Sequence, residues 1–208
     1  CISFVPQFSL LKLILEFLRS QETSIIEPLP TKESLGLDMA KVELGKELYH
    51  DKRLSGDNTL SCASCHDLAK GGTDQAVSST GINGHIGPIN SPTTYNSMYN
   101  IQQFWDGRAK DLEAQAHGPV HNPGEMGSNW EQVISKLKKD SALLKKFKKV
   151  YGTKDITGDM IANAIAEFEK SLVTPNSRFD KYLKGDKTAL TEDEKKGYEL
   201  FQKHNCTS

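Results

Sequence analysis

The chain predicts an all-α fold with long irregular loops, and three observations carry that expectation. Apolar residues recur at helical intervals in several stretches, the clearest being Ile161, Ala164, Ile165, Phe168 and Leu172. Helix starts are marked by Asp38 and Thr157 and by two boxes of the form Ser/Thr-x-x-Glu, Ser128 to Glu131 and Thr191 to Glu194. Between Lys52 and Asn100 no periodicity survives, because Gly71-Gly72, Gly81, Gly84, Gly87-Pro88 and Ser91-Pro92 interrupt it.

At 208 residues and 37% hydrophobic, the chain can bury one good core or two small ones. Its formal net charge of −1 gives no reason to expect nucleic-acid binding. Of four cysteines, two stand close together and two, Cys1 and Cys206, lie near opposite ends, so no disulfide framework is expected.

In chain order, Ile2 to Leu18 is apolar but interrupted by Pro6, Lys12 and Glu16, and it falls short of the ~20 residues a bilayer span requires. It reads as a remnant of an export signal, a peripheral anchor or a docking helix, with Cys1 as a residue that lipid could modify. Residues 21–34, with Pro28 and Pro30, suit a linker. Asp38 then caps a helix with Val42, Leu44, Leu48 and Tyr49 on its apolar side, ending near Asp51.

Cys62-Ala63-Ser64-Cys65-His66 follows. Two thiols three residues apart with a histidine directly after the second form the attachment site of a c-type haem, in which Cys62 and Cys65 bond covalently to one porphyrin and His66 ligates its iron. A zinc site would need a further ligand, and there is no second Cys-x-x-Cys pair; a redox dithiol expects a strand-helix context, whereas these flanks are polar and turn-rich. The fold class is therefore a cytochrome c-like haem domain, and the glycine-rich stretch after the motif reads as the loop covering the distal haem face.

Gln103 to Arg108 is expected to open a helix running to about Ala116. The Ser128 box should start another, carrying Val133, Ile134, Leu137, Leu144, Phe147 and Tyr151 to a stop at Gly152. Its opposite face has seven lysines between Lys136 and Lys149, read as a solvated face with a docking patch for an acidic donor as the alternative. Thr157 caps the last helix before Thr174-Pro175-Asn176-Ser177, the expected domain boundary.

Beyond it, Lys196-Gly197-Tyr198-Glu199-Leu200-Phe201 repeats the sense of Leu44-Gly45-Lys46-Glu47-Leu48-Tyr49, and both precede a cysteine. The organisation expected is thus 1–34 apolar segment and linker, 35–175 haem c domain, and 176–208 the beginning of a truncated second one, with Cys206 opening its haem motif.

With the haem motif in place, Asn90-Ser91-Pro92-Thr93, Phe104-Trp105-Asp106-Gly107-Arg108-Ala109, Gln115-Ala116-x-Gly118-Pro119 and Glu125-Met126 make the chain closely resemble bacterial di-haem cytochrome c peroxidases, from about Leu35 onward. MauG-type enzymes share that fold. The resemblance implies two-electron reduction of hydrogen peroxide at the periplasm, with electrons from a small cytochrome c or cupredoxin, a second haem, calcium, and a homodimer.

It also implies roles for particular residues. His66 is the proximal ligand, Glu125 and Gln115 line the distal pocket, Asn90 contributes to a calcium site, and Trp105 lies between the haems. One carboxylate above the iron can take a proton from one peroxide oxygen and deliver it to the other, which suits Glu125; Gln115 cannot act as an acid and would only position. Without the resemblance, Glu125 reads as a surface glutamate in a Pro-Gly loop and Trp105 as core.

One departure stands out. The histidine that in many family members binds the resting iron falls on Ile82, which cannot ligate. Either His85 replaces it, helped by neighbouring glycines, or the site is already open in the oxidised protein, the reading preferred. His50, His117, His121 and His204 read as ordinary polar histidines. The rival functions are an electron-transfer cytochrome without peroxidase activity and a MauG-like oxidase of a partner protein.

Overall fold

Asp38 accepts from the backbone N–H groups of Ala40 and Lys41 and so starts α1, Met39–Tyr49. This is a computed structural model; it describes residues 26–153 and 155–206. The Ile2–Leu18 segment, Cys1 and Thr207-Ser208 lie outside the described residues. The other helices are α2 (Cys62–Cys65), α3 (Leu112–His121), α4 (Trp130–Leu137), α5 (Ser141–Tyr151), α6 (Gly158–Lys170), α7 (Arg178–Leu183) and α8 (Glu192–Lys203). Among the described residues there is no strand beyond two isolated bridges, Thr80 with Ile86 and Gln103 with Ala109.

The described residues divide into two compact units, a larger one within residues 30–174 and a smaller one formed by residues 26–29 together with 175–206. In the larger unit α1 packs along α6, and α6 also meets α3. The α1–α6 crossing is close because Gly45 has no side chain: a Cβ there would overlap the Ala164 carbonyl and come within 2.9 Å of Phe168 Cβ. One turn on, the Tyr49 ring meets Phe168 edge-on at 5.2 Å. Val42, Leu44 and Leu48 from α1, Val133 and Leu137 from α4, Leu143 and Phe147 from α5, and Ile161 and Ile165 from α6 are buried in one cluster. Each contributes about 1.5–3 kcal/mol by leaving water.

The end of α6 is tied to the long loop. Asn96, in the left-handed region at φ 60°, donates its backbone N–H to the Leu172 carbonyl (2.8 Å) and exchanges side-chain bonds with Thr174, Nδ2 to Oγ1 at 2.8 Å and Thr174 N to Oδ1 at 2.9 Å.

Two expectations for the middle of the chain need correction. Gln103 to Arg108 does not open a helix, since Phe104 (φ 66°) and Gly107 (φ 70°) adopt left-handed backbone that a helix excludes, and Gln103 and Ala109 exchange backbone hydrogen bonds across the resulting turn. Helix α3 starts later, where Asp111 accepts from Ala114 N, and runs through Pro119 to His121.

Nor does Ser128 cap the next helix. Asn129 does, accepting from Gln132 N at 2.9 Å, while the Ser128 hydroxyl faces Gln132 Oε1. The single helix expected from there to Gly152 is two, because Asp140 caps a fresh start through Ala142 N and Leu143 N. Of the seven lysines, Lys138, Lys139, Lys145, Lys148 and Lys149 are exposed, Lys146 pairs with Glu47, and Lys136 donates to the Ser55 carbonyl (2.6 Å) and Asn58 Oδ1 (3.0 Å).

In the smaller unit, Ser177 and Asp180 form a capping box at α7, and Asp180 also accepts from Leu29 N at 2.9 Å. The expected Thr191–Glu194 box starts α8, with Glu194 paired to Arg178. No helix among the described residues is long and apolar enough to cross a membrane.

Candidate functional site

Helix α2 is a single turn held by reciprocal bonds between Ser61 and Ser64, which places Cys62 and Cys65 at its two ends and His66 as its C-terminal cap. Cys62 packs against the main core cluster. The buried Tyr49 of α1 donates its hydroxyl to the His66 carbonyl at 2.7 Å, fixing the backbone there.

The imidazole is oriented from the opposite side. His66 Nδ1 lies 3.0 Å from the Pro92 carbonyl and 3.3 Å from that of Gly72. Carbonyls only accept, so Nδ1 carries the hydrogen and Nε2 is left with its lone pair, the tautomer a metal-ligating histidine needs. Burial also pushes the imidazole pKa below its ordinary value, against the pull of those carbonyls, which keeps the ring neutral.

The thiols have the opposite character from redox cysteines. Burial, with Glu169 next in effect, pushes Cys62 up to about 12, and burial followed by Asp74 raises Cys65. Thiolate chemistry needs nearby positive charge or metal. Among the described residues no group of three or more His, Cys, Asp or Glu side chains could hold a metal ion. Neutral, half-buried thiols flanking a ligand-ready histidine fit haem c: Cys62 and Cys65 would carry its thioethers, His66 would ligate the iron, and the group would supply one-electron redox chemistry.

Glu125 is half-buried in the loop after α3 and is not a free surface residue. Asn122 Nδ2 donates to its Oε1 at 2.8 Å, its own N–H reaches the Asn122 carbonyl at 3.0 Å, and its carbonyl accepts from Ile82 N at 2.9 Å. This loop and the glycine-rich one touch backbone to backbone: a Cβ on Gly81 would overlap the Gly124 carbonyl, and one on Gly127 would overlap Ile82 Cδ1. The carboxylate adds the smallest of the electrostatic effects felt at Cys65 and His66, behind burial and Asp74.

The other expected residues fall as follows. Gln115 is half-buried on α3, the helix leading into the Glu125 loop. His85 is exposed, its Nε2 edge turned to Gly124 beside Glu125, so close that a Cβ on Gly124 would lie 2.8 Å from it. Trp105 is 63% exposed and therefore not core, and its indole N–H donates to the Asn90 carbonyl at 3.1 Å. Cys206 is exposed at the end of the smaller unit.

Sequence reasoning missed three residues. Tyr49 was placed only as core, and the roles of Asn122 and Glu169 were not foreseen. Glu169 is 6% exposed, and its Oε2 has no hydrogen-bond partner. A signal existed, because position 169 falls four residues after Ile165 and eight after Ile161, within the apolar stripe of α6. His117 is also more engaged than expected, accepting from Trp130 Nε1 at 2.8 Å.

The profile of a protein family described as di-haem cytochrome c peroxidase matches residues 39–188. Over 184 residues the chain is 52% identical to cytochrome c peroxidase Ccp of Escherichia coli strain K12, covering 88% of this chain and 39% of that protein. Over 181 residues it is 49% identical to cytochrome c551 peroxidase of Nitrosomonas europaea, covering 87% and 54%. Among solved structures, a MauG-like protein associated with microbial copper homeostasis superposes with a TM-score of 0.74 at 30% identity, covering 87% of this chain and 54% of that one. The chain thus spans between two-fifths and just over half the length of these proteins.

Proposed function

Because the chain belongs to the di-haem cytochrome c peroxidase family, we propose that the whole protein reduces hydrogen peroxide to water, consuming two protons and two electrons per peroxide, with electrons from a small cytochrome c or cupredoxin. The single observation that carries this reading is the placement of Glu125, whose carboxylate accepts from Asn122 Nδ2 and whose backbone carbonyl accepts from Ile82 N, so that the acid sits where its loop meets the glycine-rich one. An electron carrier has no use for such a group.

In this reading Glu125 takes the proton from the peroxide oxygen nearer His66 and returns it to the leaving oxygen, an effect typically worth 10²–10⁴-fold. Gln115 holds the peroxide or a water by hydrogen bonding and moves no proton. Trp105, exposed and tethered to Asn90, is the route for electrons arriving from a second haem whose motif opens at Cys206. Asn90 contributes to calcium binding. The boundaries 1–34, 35–175 and 176–208, a homodimer, a periplasmic location and an N-terminal peripheral or lipid anchor complete the proposal. Higher identity to the named peroxidases than to the MauG-like structure favours peroxide reduction over oxidation of a partner protein.

The test is peroxide-dependent oxidation of a reduced small cytochrome by the full-length, haem-loaded protein. Turnover that disappears in Glu125→Gln, with haem absorbance intact, is the expected result. No peroxide-dependent turnover in the wild type would mean an electron carrier, and equal turnover in both proteins would remove Glu125 from the mechanism.

A further inference from the structure

Glu169 is a charged residue type placed where charge is least tolerated, and the peroxide reaction does not use it. It lies on α6 next to Phe168, 6% exposed, with Oε2 unpartnered. Its electrostatic neighbours from the packed elements are Tyr49 of α1 and Cys62 of α2. Among the described residues it forms no ion pair; on its own helix, Lys170 pairs with Glu167 instead.

These neighbours leave one group free to exchange a proton. Burial holds the Tyr49 phenol neutral, and its hydroxyl is committed to the His66 carbonyl. Cys62, once in a thioether, has no proton to give. On the His66 side, burial pushes the Asp74 carboxyl up but bonds from Ser79 and Ala76 outweigh it and hold it below its ordinary range, which favours its ionised form. Removing an electron from a haem attached at Cys62 adds a positive charge to a poorly hydrated region, and the cheapest response is for a neutral acid nearby to ionise.

We propose that Glu169 is a redox-linked proton site for the haem held by Cys62: it keeps its proton while that haem is reduced and releases it to solvent as that haem is oxidised. One electron leaves for the oxidant and one proton leaves the carboxyl, so the net charge of the region is unchanged. Burial pushes the carboxyl up to about 8, so the exchange falls near neutral pH. The proposal rests on haem attachment at this site and not on peroxide turnover.

The test is a spectroelectrochemical titration of the Cys62/Cys65 haem in the full-length, haem-loaded protein, between about pH 6 and about pH 10. The midpoint potential is expected to fall as pH rises toward about 8, approaching one proton per electron, and to level off above it; in Glu169→Gln it is expected to be independent of pH over that window, and in Glu125→Gln to keep the wild-type dependence. An unchanged slope in Glu169→Gln, or no slope in the wild type, overturns the proposal. Should Glu169→Gln fail to hold haem, redox-difference infrared spectra of glutamate-labelled Glu125→Gln decide it. A protonated-carboxyl band that bleaches on oxidation and shifts with the label supports Glu169, and its absence refutes it. Peroxide activity enters neither readout.

Discussion

The backbone N–H of Ile82 donates to the carbonyl of Glu125 at 2.9 Å. Residue 82 is therefore bonded to the loop that carries Glu125, and the two loops share one geometry. Gly81 makes this contact feasible, since any Cβ would drive into the Gly124 carbonyl.

Gly81→Ala should separate the loops. We expect haem attachment to persist and peroxide turnover to fall at least tenfold, because a small displacement of an acid–base group is costly. Steady-state kinetics beside the haem absorbance spectrum checks this, and unaltered turnover would refute the coupling.

His85 lies against Gly124, and Ile82 cannot ligate. The oxidised Cys62/Cys65 haem should therefore be high-spin by electron paramagnetic resonance and respond to peroxide without prior reduction, and His85→Ala should leave that spectrum unchanged. Conversion from low-spin to high-spin in His85→Ala would make His85 the resting ligand.

Glu125→Gln keeps the shape and the partnership with Asn122 but removes the proton carrier. Turnover should drop by about 10²–10⁴-fold, with little change in the peroxide concentration giving half-maximal rate. Asn122→Ala, which frees the carboxylate but spares it, should cost less.

Gly45→Ala tests the packing of α1 on α6. Alanine favours a helix over glycine by roughly 0.5–1 kcal/mol, but here its methyl would meet Ala164 and Phe168. Overpacking costs about 1–3 kcal/mol and should win, so urea unfolding should show a lower midpoint.

Glu169 also gives stability a pH dependence with a definite sign. Its carboxyl is raised from 4.5 to about 8 on folding, so between these values the folded chain, with its haem reduced, holds a proton that the unfolded chain has lost. Stability therefore falls as pH rises through this window, by at most about 1.4 kcal/mol per pH unit, and levels off above about 8. Denaturation at about pH 5 and about pH 8 should show wild type losing more stability than Glu169→Gln.

Much of this was legible in the residues. The haem turn, the Asp38, Thr157 and Thr191 caps and the α6 stripe follow from local chemistry that tertiary structure leaves in place. What could not be read depends on contacts between distant segments or on backbone sign. Nothing local says that Phe104 turns left-handed, or that Asp140 outcompetes helical continuity while also pairing with Arg53 at 3.1 Å. The His66 tautomer depends on Pro92 and Gly72, and the setting of Glu125 on Ile82, both across loops without periodicity.

The long-range pairing of α1 with α6 also bears on the order of assembly. As the polypeptide emerges from its N-terminus, Cys62 and Cys65 appear well before α6, and contacts between remote segments form slowly. Haem attachment would thus have an interval in which Cys62, which packs against the cluster that α6 helps to form, remains accessible, and the docking of α6 at Gly45 would end it. Substitutions that hasten that docking would compete with attachment, so a more stable variant of this chain is expected to carry less haem.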